Sequence, residues 1–343
     1  MRGGDIRGSR RSTARPRVLV VGYGARGRQW ERAIRRRRRR LALAGVVDPD
    51  EAARRAANAA GLRAWASLEQ AIGEASAAAA IVASPPWAHV DQSLALVEAR
   101  IPALVEKPLA LDLGGAARVA AAARRDAVPL LVGQSFRFLP RERAVREALL
   151  ELDAPVRASI VSARPRTAAA PHLAEVADGP LWDICLHHLD ALRVRVGASP
   201  SSVAMRVLGG AGGRAYRIEL EWPDGLAVEY THSEGAPAYF HAEWIEAGRG
   251  AIAVADQEVR LLADGSRPRR VSPPRGPAPE QALLEALLEA VAGRPSPALE
   301  AAENLATVAI VEAAARSAAL GRPVAPAVPA AATGSEPAAS AVA

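Results

Sequence analysis

Residues 17–30 read Arg-Val-Leu-Val-Val-Gly-Tyr-Gly-Ala-Arg-Gly-Arg-Gln-Trp, and this stretch decides the fold. The apolar residues 18–21 do not alternate with polar ones, which is typical of a strand buried on both faces of a parallel sheet. Gly22, Gly24 and Gly27 follow in G-x-G-x-x-G spacing, ahead of a helix-compatible segment. In a dinucleotide-binding turn these glycines allow the tight turn, the approach of a pyrophosphate and the close packing of helix on strand. The stretch therefore predicts a dinucleotide-binding strand, turn and helix.

A second apolar run, residues 41–47, ends at Asp48. Asp48 lies 48 − 22 = 26 residues after the first glycine, slightly beyond the usual spacing of about 20. A carboxylate at this strand end can accept both ribose hydroxyls and repels a 2′-phosphate, so the sequence predicts NAD rather than NADP. NADP stays open, because one of the nearby arginines could fold back onto a 2′-phosphate.

Apolar runs and helical segments alternate up to about residue 137, which predicts a parallel sheet covered by helices. The predicted strands are 18–21, 41–47, 78–83, 101–105 and 130–133, and the predicted helices are 26–38, 50–60, 67–75, 88–99 and 112–126. After residue 150 the runs are joined by short turns, which favours an antiparallel sheet. They are 156–162, 203–208, 216–222, 226–232, 238–246 and 250–254, with helices at 181–196, 279–292 and 298–320.

These patterns predict an α/β protein with two domains and a cleft between them. Residues 17–137 form a Rossmann domain with a doubly wound parallel sheet, and residues 138–322 form an α+β domain with an open, mostly antiparallel sheet. Residues 1–16 are predicted to be a disordered basic arm and residues 323–343 a disordered tail. Gly321 is the predicted C-terminal cap of the last helix.

Composition narrows the class of protein. The chain has 343 residues and a formal net charge of +7, and six of its arginines are consecutive at 35–40. There is neither aromatic interleaving nor a nucleic-acid-binding module, so we expect no specific nucleic-acid recognition. No apolar run reaches the ~20 residues of a membrane span and no signal-peptide pattern is present, so a cytoplasmic location is expected. The single cysteine, Cys185, excludes an intramolecular disulfide and a cysteine-based metal cluster.

Two groups of residues could carry chemistry. Lys107 follows the apolar run 101–105, and a lysine at the carboxyl end of a parallel strand points into the ligand crevice. Asp183 and His187 are four residues apart on a predicted helix, about 40° apart around its axis, and Asp190 continues the same stripe. A solvated lysine and an Asp–His hydrogen bond at a domain interface are the structural alternatives. The spacing of the acids and histidines does not match a metal site, so no metal is expected.

The motifs, taken in order, resemble the Gfo/Idh/MocA family of glucose–fructose oxidoreductase, inositol dehydrogenase and MocA-like proteins. They are Val-Gly-Tyr-Gly-Ala-Arg-Gly at 21–27, Ser84-Pro85-Pro86 with His89, Glu106-Lys107-Pro108, Gly133-Gln-Ser-Phe-Arg137-Phe and Asp183-x-x-x-His187-x-x-Asp190. The resemblance implies NAD(P)-dependent hydride transfer on a sugar, inositol or related polyol. It also implies a homodimer or homotetramer built on the open sheet.

The resemblance further implies site residues. The catalytic ones are Lys107, His187 and Asp183. Cofactor contacts are expected from Gly22, Tyr23, Gly24, Ala25, Arg26, Gly27, Asp48, Ser84, Pro85, His89, Glu106, Lys107 and Arg137. Substrate contacts are expected from Lys107, Arg137, Trp182, Asp183 and His187. Trp182 replaces a smaller aliphatic residue of the family, and its indole can narrow the pocket or stack on a sugar ring.

The expected chemistry assigns one role to each catalytic side chain. His187 takes the alcohol proton, because histidine titrates near neutral pH. Lys107 stabilises the developing negative oxygen, and Asp183 orients His187 or holds a neighbouring hydroxyl. Two other functions stay open: a glycosidase that uses bound NAD transiently, and a catalytically silent NAD-binding regulator. The complete set of Lys107, Asp183 and His187 argues against the regulator.

Overall fold

The computed structural model of the protein describes residues 15–165, 176–210, 213–294 and 297–327. Residues 1–14 of the predicted basic arm and 328–343 of the predicted tail lie outside these ranges, and their disorder stays a prediction. At the start of the tail, Val324 is buried and forms an antiparallel bridge with Val203, so this residue is ordered. Within the described ranges, no helix combines the length and the apolar character that a membrane span requires.

Six parallel strands form the first sheet in the order β3-β2-β1-β4-β5-β6, as the sequence predicts for a Rossmann domain. The strands are β1 Arg17–Val21, β2 Ala42–Val47, β3 Ala64–Trp65, β4 Ala79–Val82, β5 Ala103–Val105 and β6 Leu130–Val132. The order reverses between β1 and β4, and ligands bind in the crevice at the carboxyl ends of the strands on either side of such a reversal. Of these six strands, β3 alone was not predicted from the sequence, because two residues are too few to show a periodic pattern.

Helices connect these strands. They are α1 Ala25–Arg36, α2 Glu51–Ala59, α3 Leu68–Glu74, α4 His89–Glu98, α5 Leu113–Arg125 and α6 Pro140–Leu149. The side chains of Asp50, Ser67 and Asp112 cap α2, α3 and α5 by accepting backbone N–H bonds. In contrast, the N-cap of α1 is Gly24, whose missing side chain leaves the first N–H groups of the helix available to a ligand.

The second sheet has eight strands in the order β14-β13-β12-β11-β7-β10-β9-β8. They are β7 Pro155–Arg164, β8 Ser202–Gly210, β9 Gly213–Glu221, β10 Ala227–Glu234, β11 Phe240–Ala247, β12 Gly250–Ala255, β13 Glu258–Ala263 and β14 Arg269–Arg270. All described neighbours are antiparallel except β7 and β10, which pair in parallel. The mostly antiparallel sheet is confirmed, and β13 and β14 extend it beyond the predicted strands.

One predicted helix is interrupted where the site forms. The sequence predicts a continuous helix at 181–196, but the structure has a π-helical turn at Leu181–Cys185 followed by α7 at Leu186–Val196. A π turn is wider than an α turn and is frequent at functional sites. Asp183 and His187 are therefore not related by the α-helical rotation that the sequence analysis assumed.

The last two helices of the described residues pack on the sheets, and α9 contacts strands of both. They are α8 at Pro279–Val291 and α9 at Ala301–Leu320, and α9 ends at Gly321 in the left-handed conformation, as predicted. Leucines of α8 pack with Val18, Trp30 and Ile34 against one face of the first sheet. Helix α8 therefore lies on the Rossmann sheet, although the predicted boundary at residue 137 assigns it to the second domain.

The arginine run at 35–40 has a structural role. Arg37 and Arg40, at the end of α1, both form ion pairs with Glu285 of α8, at 2.6 Å for Arg40. Arg35 pairs with Glu31 one turn back in α1, at 2.6 Å. Three of the six arginines therefore form ion pairs, one within α1 and two with α8.

Candidate active site

The glycine-rich turn has the shape that a dinucleotide needs. A Cβ atom on Gly22, whose φ is +87°, would lie 2.6 Å from the backbone nitrogen of Ser84. A Cβ atom on Gly27 would lie 1.9 Å from the carbonyl oxygen of Gly22, so α1 can pack this closely on β1 only with glycine there. A Cβ atom on Gly24 would meet nothing within 4 Å, so the backbone is open on that side. The three positions fit the turn, the packing and the pyrophosphate approach that the sequence predicts.

Asp48 is tied to this turn. Its Oδ2 accepts the backbone N–H of Tyr23 at 2.7 Å, and its Oδ1 accepts that of Asp50 at 2.9 Å. The carboxylate is therefore fixed at the carboxyl end of β2, next to the turn. The Tyr23 ring is directed away from it and donates to Glu31 at 2.5 Å, and burial raises the pKa of Tyr23 to about 12. Tyr23 thus contributes its backbone to this corner, while its ring packs in the core.

A cleft of about 290 Å³ lies at the carboxyl ends of β4, β5 and β6. It brings together six residues that the sequence analysis selected: Arg26, Ser84, Glu106, Lys107, Asp183 and His187. Ala83, Pro86 and Ser135 complete its lining. Arg26 belongs to the glycine-rich turn, so the cleft is continuous with the predicted cofactor site.

Lys107 and Asp183 form a salt bridge, and the backbone oxygen of Asp183 lies 3.5 Å from the same Nζ. The second carboxylate oxygen of Asp183 accepts from Nη1 of Arg164 at 2.5 Å. Burial alone would raise the pKa of this carboxyl, but the two cations outweigh it and hold the pKa of Asp183 well below its usual range. Asp183 is therefore an anion bridging two cations at neutral pH.

Lys107 stands out from the composition of the chain. It is the single lysine among 44 lysine and arginine residues. Ammonium and guanidinium groups differ: the first is a compact charge that can give up a proton, whereas the second is planar and stays charged. A lysine at this one position, in a chain that otherwise uses arginine, indicates that the cleft needs an ammonium group.

His187 is held by an aromatic contact. The Phe136 ring stacks on its imidazole with 4.3 Å between centroids and 6° between planes. Within the described ranges Nδ1 of His187 has no hydrogen-bond partner, and no hydrogen bond joins Asp183 to His187. Burial, followed by the charge of Lys107, lowers the pKa of His187 well below its ordinary value, so the ring is neutral at pH 7.

The expectation that Asp183 orients His187 is therefore not met in this structure. Both oxygens of Asp183 are taken by Lys107 and Arg164. The π turn that contains Asp183 changes its direction relative to the following helix.

Arg137 lies outside the cleft, although it was expected to contact cofactor and substrate. Only 5% of the residue is exposed, and its guanidinium is bidentate to Asp190, at 2.6 Å for both contacts. It also donates to Glu303 of α9 at 2.8 Å. Asp190 in turn accepts from Thr307 at 2.7 Å, so it faces α9 and does not continue a stripe with Asp183. These contacts join α7 to α9.

His89 and Trp182 are buried and do not line the cleft. The ring nitrogens of His89 lie 2.7 Å from the carbonyl oxygen of Pro108 and 2.9 Å from that of Ser84, and the residue is 1% exposed. His89 therefore ties the loop after β4 to the loop that carries Lys107. Trp182 is 6% exposed and packs in the core, so its indole is not presented to the cleft.

Glu106 takes part in a similar support. Its Oε1 accepts from Nε of Arg26 at 2.5 Å and from Nε1 of the buried Trp30 at 2.8 Å. Arg26 reaches Glu280 at the start of α8 as well, at 3.2 Å. The glycine-rich turn is thereby linked both to the Lys107 loop and to α8.

Three residues of the site escaped the sequence analysis: Ser135, Phe136 and Arg164. The first two lie within the quoted motif at 133–138, but their roles depend on the turn that places them beside His187. Arg164 is the last residue of β7, and no local pattern marks its contact with Asp183. One sequence signal for the site was not used: Lys107 is the single lysine of the chain.

Residues 16–134 match the family GFO_IDH_MocA, described as an oxidoreductase family with an NAD-binding Rossmann fold. A 1,5-anhydro-D-fructose reductase from Ensifer adhaerens is 29% identical over 184 residues, which cover 51% of this chain and 53% of that protein. Inositol 2-dehydrogenase 4 from Saccharopolyspora erythraea is 32% identical over 196 residues, which cover 55% and 56%. The chain spans about half the length of the curated relatives it matches.

The likeness to solved structures extends over both sheets. An oxidoreductase from Agrobacterium radiobacter, solved in complex with NAD+, L-tartaric acid and magnesium, has a TM-score of 0.80 and 20% sequence identity to this chain. The match covers 91% of this chain and 98% of that one, which shows a shared fold. The match of residues 16–134, the fold and the order of the motifs agree, and the chain is similar to the Gfo/Idh/MocA oxidoreductases.

Proposed function

We propose that this protein is an NAD(P)-dependent oxidoreductase that transfers a hydride between the nicotinamide and a secondary alcohol or ketone of a sugar, inositol or related polyol. The convergence of Lys107, Asp183 and His187 in one cleft beside the glycine-rich turn carries this proposal. Relatives named as an anhydrofructose reductase and an inositol dehydrogenase support the substrate class.

The described residues fit a dinucleotide. The backbone from Gly22 to Gly27 and the uncapped start of α1 would hold the pyrophosphate. Asp48 would accept the ribose hydroxyls, and we propose NAD as the preferred cofactor because an anion at this position disfavours a 2′-phosphate. When bound, the nicotinamide supplies the hydride acceptor; positioning and proton transfer are left to the protein.

His187 is the proposed base. It is neutral and lines the cleft, so the imidazole can accept a proton from a substrate hydroxyl that binds there. Lys107 is the proposed electrostatic partner, because a preorganised cation stabilises negative charge as it develops on the substrate oxygen. Asp183 is ionised and shared by two cations, so we assign it to holding Lys107.

The charges of the cleft favour a neutral, hydroxyl-rich substrate. Arg26 is paired with Glu106, and Lys107 is paired with Asp183, so neither sign dominates the lining. Paired cations and carboxylates offer both donors and acceptors, and a hydroxyl group can use both.

Nicotinamide reduction by the purified protein tests the function. NAD and then NADP would be offered with inositols, aldoses, amino sugars and sugar nucleotides, and reduction would be followed by absorbance. We expect turnover with NAD and one of these classes, and its loss in Lys107→Met with NAD affinity nearly unchanged. NAD binding without reduction across the panel would contradict the dehydrogenase and favour the NAD-dependent glycosidase or the silent regulator. Absence of NAD binding would contradict the interpretation of residues 17–30.

We also propose a homodimer or homotetramer. The outward face of the second sheet exposes the large apolar residues Val161, Phe240 and Trp244 on the neighbouring strands β7 and β11. Exposed apolar side chains grouped on one face are typical of an interface. Light scattering after size exclusion would give the mass, and a monomer at micromolar concentration would contradict the proposal. The cytoplasmic location stays a prediction from the sequence.

A further inference from the structure

A row of polar side chains lies on the buried face of the second sheet, behind the cleft. Strands β7 and β10 pair in parallel, with Ser162 opposite His232 and Arg164 opposite Glu234. Because side chains alternate across a strand, these residues and Tyr230 share one face. We call Ser162, Arg164, Tyr230, His232 and Glu234 the polar ladder.

Each member of the polar ladder contacts the next. The Tyr230 hydroxyl lies 3.0 Å from Oγ of Ser162, which lies 2.8 Å from Nδ1 of His232. Nε2 of His232 lies 2.7 Å from Oε1 of Glu234, and the same oxygen accepts from Nε of Arg164 at 2.6 Å. Arg164 then donates to Asp183 through Nη1, so the ladder ends on the salt bridge of Lys107.

The charges at this end of the ladder alternate. Lys107, Asp183, Arg164 and Glu234 form a chain of cation, anion, cation and anion, with side chains that are 15%, 17%, 7% and 12% exposed. An unbalanced charge at such a buried site is costly, so each member of the chain depends on its neighbours. Arg164 takes one oxygen of Asp183 and thereby limits how strongly that carboxylate holds Lys107.

We propose that Arg164 is a positioning residue, which fixes Asp183 and sets the ionic balance of Lys107 together with Glu234. The assignment of Lys107 to catalysis rests on the proposed function, but the effect of Arg164 on Lys107 does not. A measurement on the lysine itself therefore separates this inference from the dehydrogenase proposal.

The chain allows such a measurement because Lys107 is its single lysine. An amine-selective acylating reagent modifies only this side chain and the N-terminal amine, which lie in different tryptic peptides. Only the deprotonated amine reacts, so the acylation rate at a fixed pH reports the fraction of Lys107 that is uncharged. Glu106, Arg26 and His187, which face the same cleft, are the same in every variant proposed below.

Arg164→Gln removes a cation and leaves two buried carboxylates near Lys107. We expect acylation of Lys107 at pH 8 to become about tenfold slower, because a neighbouring charge at this range shifts ionisation by about that factor. Glu234→Gln has the opposite effect and speeds acylation. The double variant Arg164→Gln, Glu234→Gln exchanges the ion pair for two amides and should return to within about twofold of wild type.

Arg269→Gln is the matched control, because Arg269 lies in β14 of the same sheet and forms an exposed ion pair with Glu151. Its acylation rate should equal wild type. An unchanged rate in Arg164→Gln, or a double variant as slow as Arg164→Gln, would overturn the proposal. If Arg164→Gln does not fold, the other two variants still test the proposal. Glu234→Gln must speed acylation of Lys107, and the double variant must bring the rate back to that of wild type.

Discussion

The imidazole of His187 lies face to face with the phenyl ring of Phe136, with centroids 4.3 Å apart and planes 6° from parallel. Phe136 also meets His188 edge-on, at 5.2 Å. The proposed base is thus oriented by ring packing, while the carboxylate of Asp183 pairs with two cations. Stacking fixes the plane of the ring without supplying a negative charge, while burial and the charge of Lys107 keep the imidazole neutral.

Phe136→Leu tests this orientation. Leucine keeps the site apolar but removes the flat surface, so we expect kcat to fall about tenfold through misplacement of the imidazole. KM and NAD affinity should change by less than threefold, since Phe136 does not line the cleft. Phe138→Leu is the control. Phe138 lies in the same turn but packs against the apolar cluster between α8 and the first sheet, so this variant should keep wild-type kcat. Equal kcat values in the two variants would contradict the role of Phe136.

Lys107→Arg tests the need for an ammonium group. The substitution keeps the positive charge and the partner Asp183, but the planar guanidinium cannot occupy the position of Nζ. We expect kcat/KM to fall by about 10² or more, because the cation no longer meets the substrate oxygen. NAD affinity, measured by quenching of protein fluorescence, serves as the internal check and should stay near wild type. Activity within fivefold of wild type would show that any cation suffices.

Asp48→Ala tests the cofactor preference. Loss of the carboxylate removes the ribose acceptor and the bond to the Tyr23 N–H, so NAD affinity should fall about tenfold while NADP affinity stays level or rises. Asp50→Ala is the matched control, since the Asp50 side chain caps α2. That variant should lose about 1 kcal/mol of stability and keep the preference for NAD. An unchanged NAD/NADP ratio in Asp48→Ala would remove Asp48 from the ribose site.

Stability should fall in mild acid. Burial lowers the pKa of His187 and of His188 well below the ordinary value of 6.5, reinforced by Lys107 at His187 and by His241 at His188. The unfolded chain binds these protons first, so the stabilisation is complete above about pH 6.5 and is lost as the pH falls below it. Each histidine contributes about 1.4 kcal/mol per pH unit to that loss.

Urea unfolding at pH 7, 6 and 5 measures this loss. His188→Gln should reduce the slope of the unfolding free energy against pH by about 1.4 kcal/mol per pH unit, the contribution of one histidine. This holds whatever the substitution does to the stability at pH 7. A free energy of unfolding that is constant from pH 7 to pH 5 would show that these rings do not stay neutral in the folded protein.

The sequence predicted those strands and helices that a local pattern of residues specifies. Residues 17–30 contain the strand, the turn and the helix start in one stretch. Gly22 and Gly27 are required there by close contacts with neighbouring backbone, and Gly24 leaves the backbone open. The apolar runs of the first sheet were readable for the same reason. The strand β3, with two residues, and the π turn at Leu181–Cys185 were not, since neither has a periodicity that differs from its surroundings.

The site was predictable in its residues but not in their pairing. Lys107, Asp183 and His187 were selected from the sequence, yet Asp183 pairs with Lys107 and Arg164, and His187 stacks on Phe136. Arg137 was assigned to the cleft from its motif, and its bidentate contact with Asp190 depends on how α7 and α9 pack. Such contacts are set by tertiary packing, which spacing along the chain does not encode.

The position of α8 determines what can be cut from this protein. Leu283, Leu284 and Leu287 complete the apolar layer over Val18 and Trp30, and Glu285 binds the arginines at the end of α1. A fragment that stops after the sixth strand would leave that layer facing water and would be prone to aggregate. The core of the Rossmann sheet is therefore completed by a helix that is synthesised more than a hundred residues after the sheet itself.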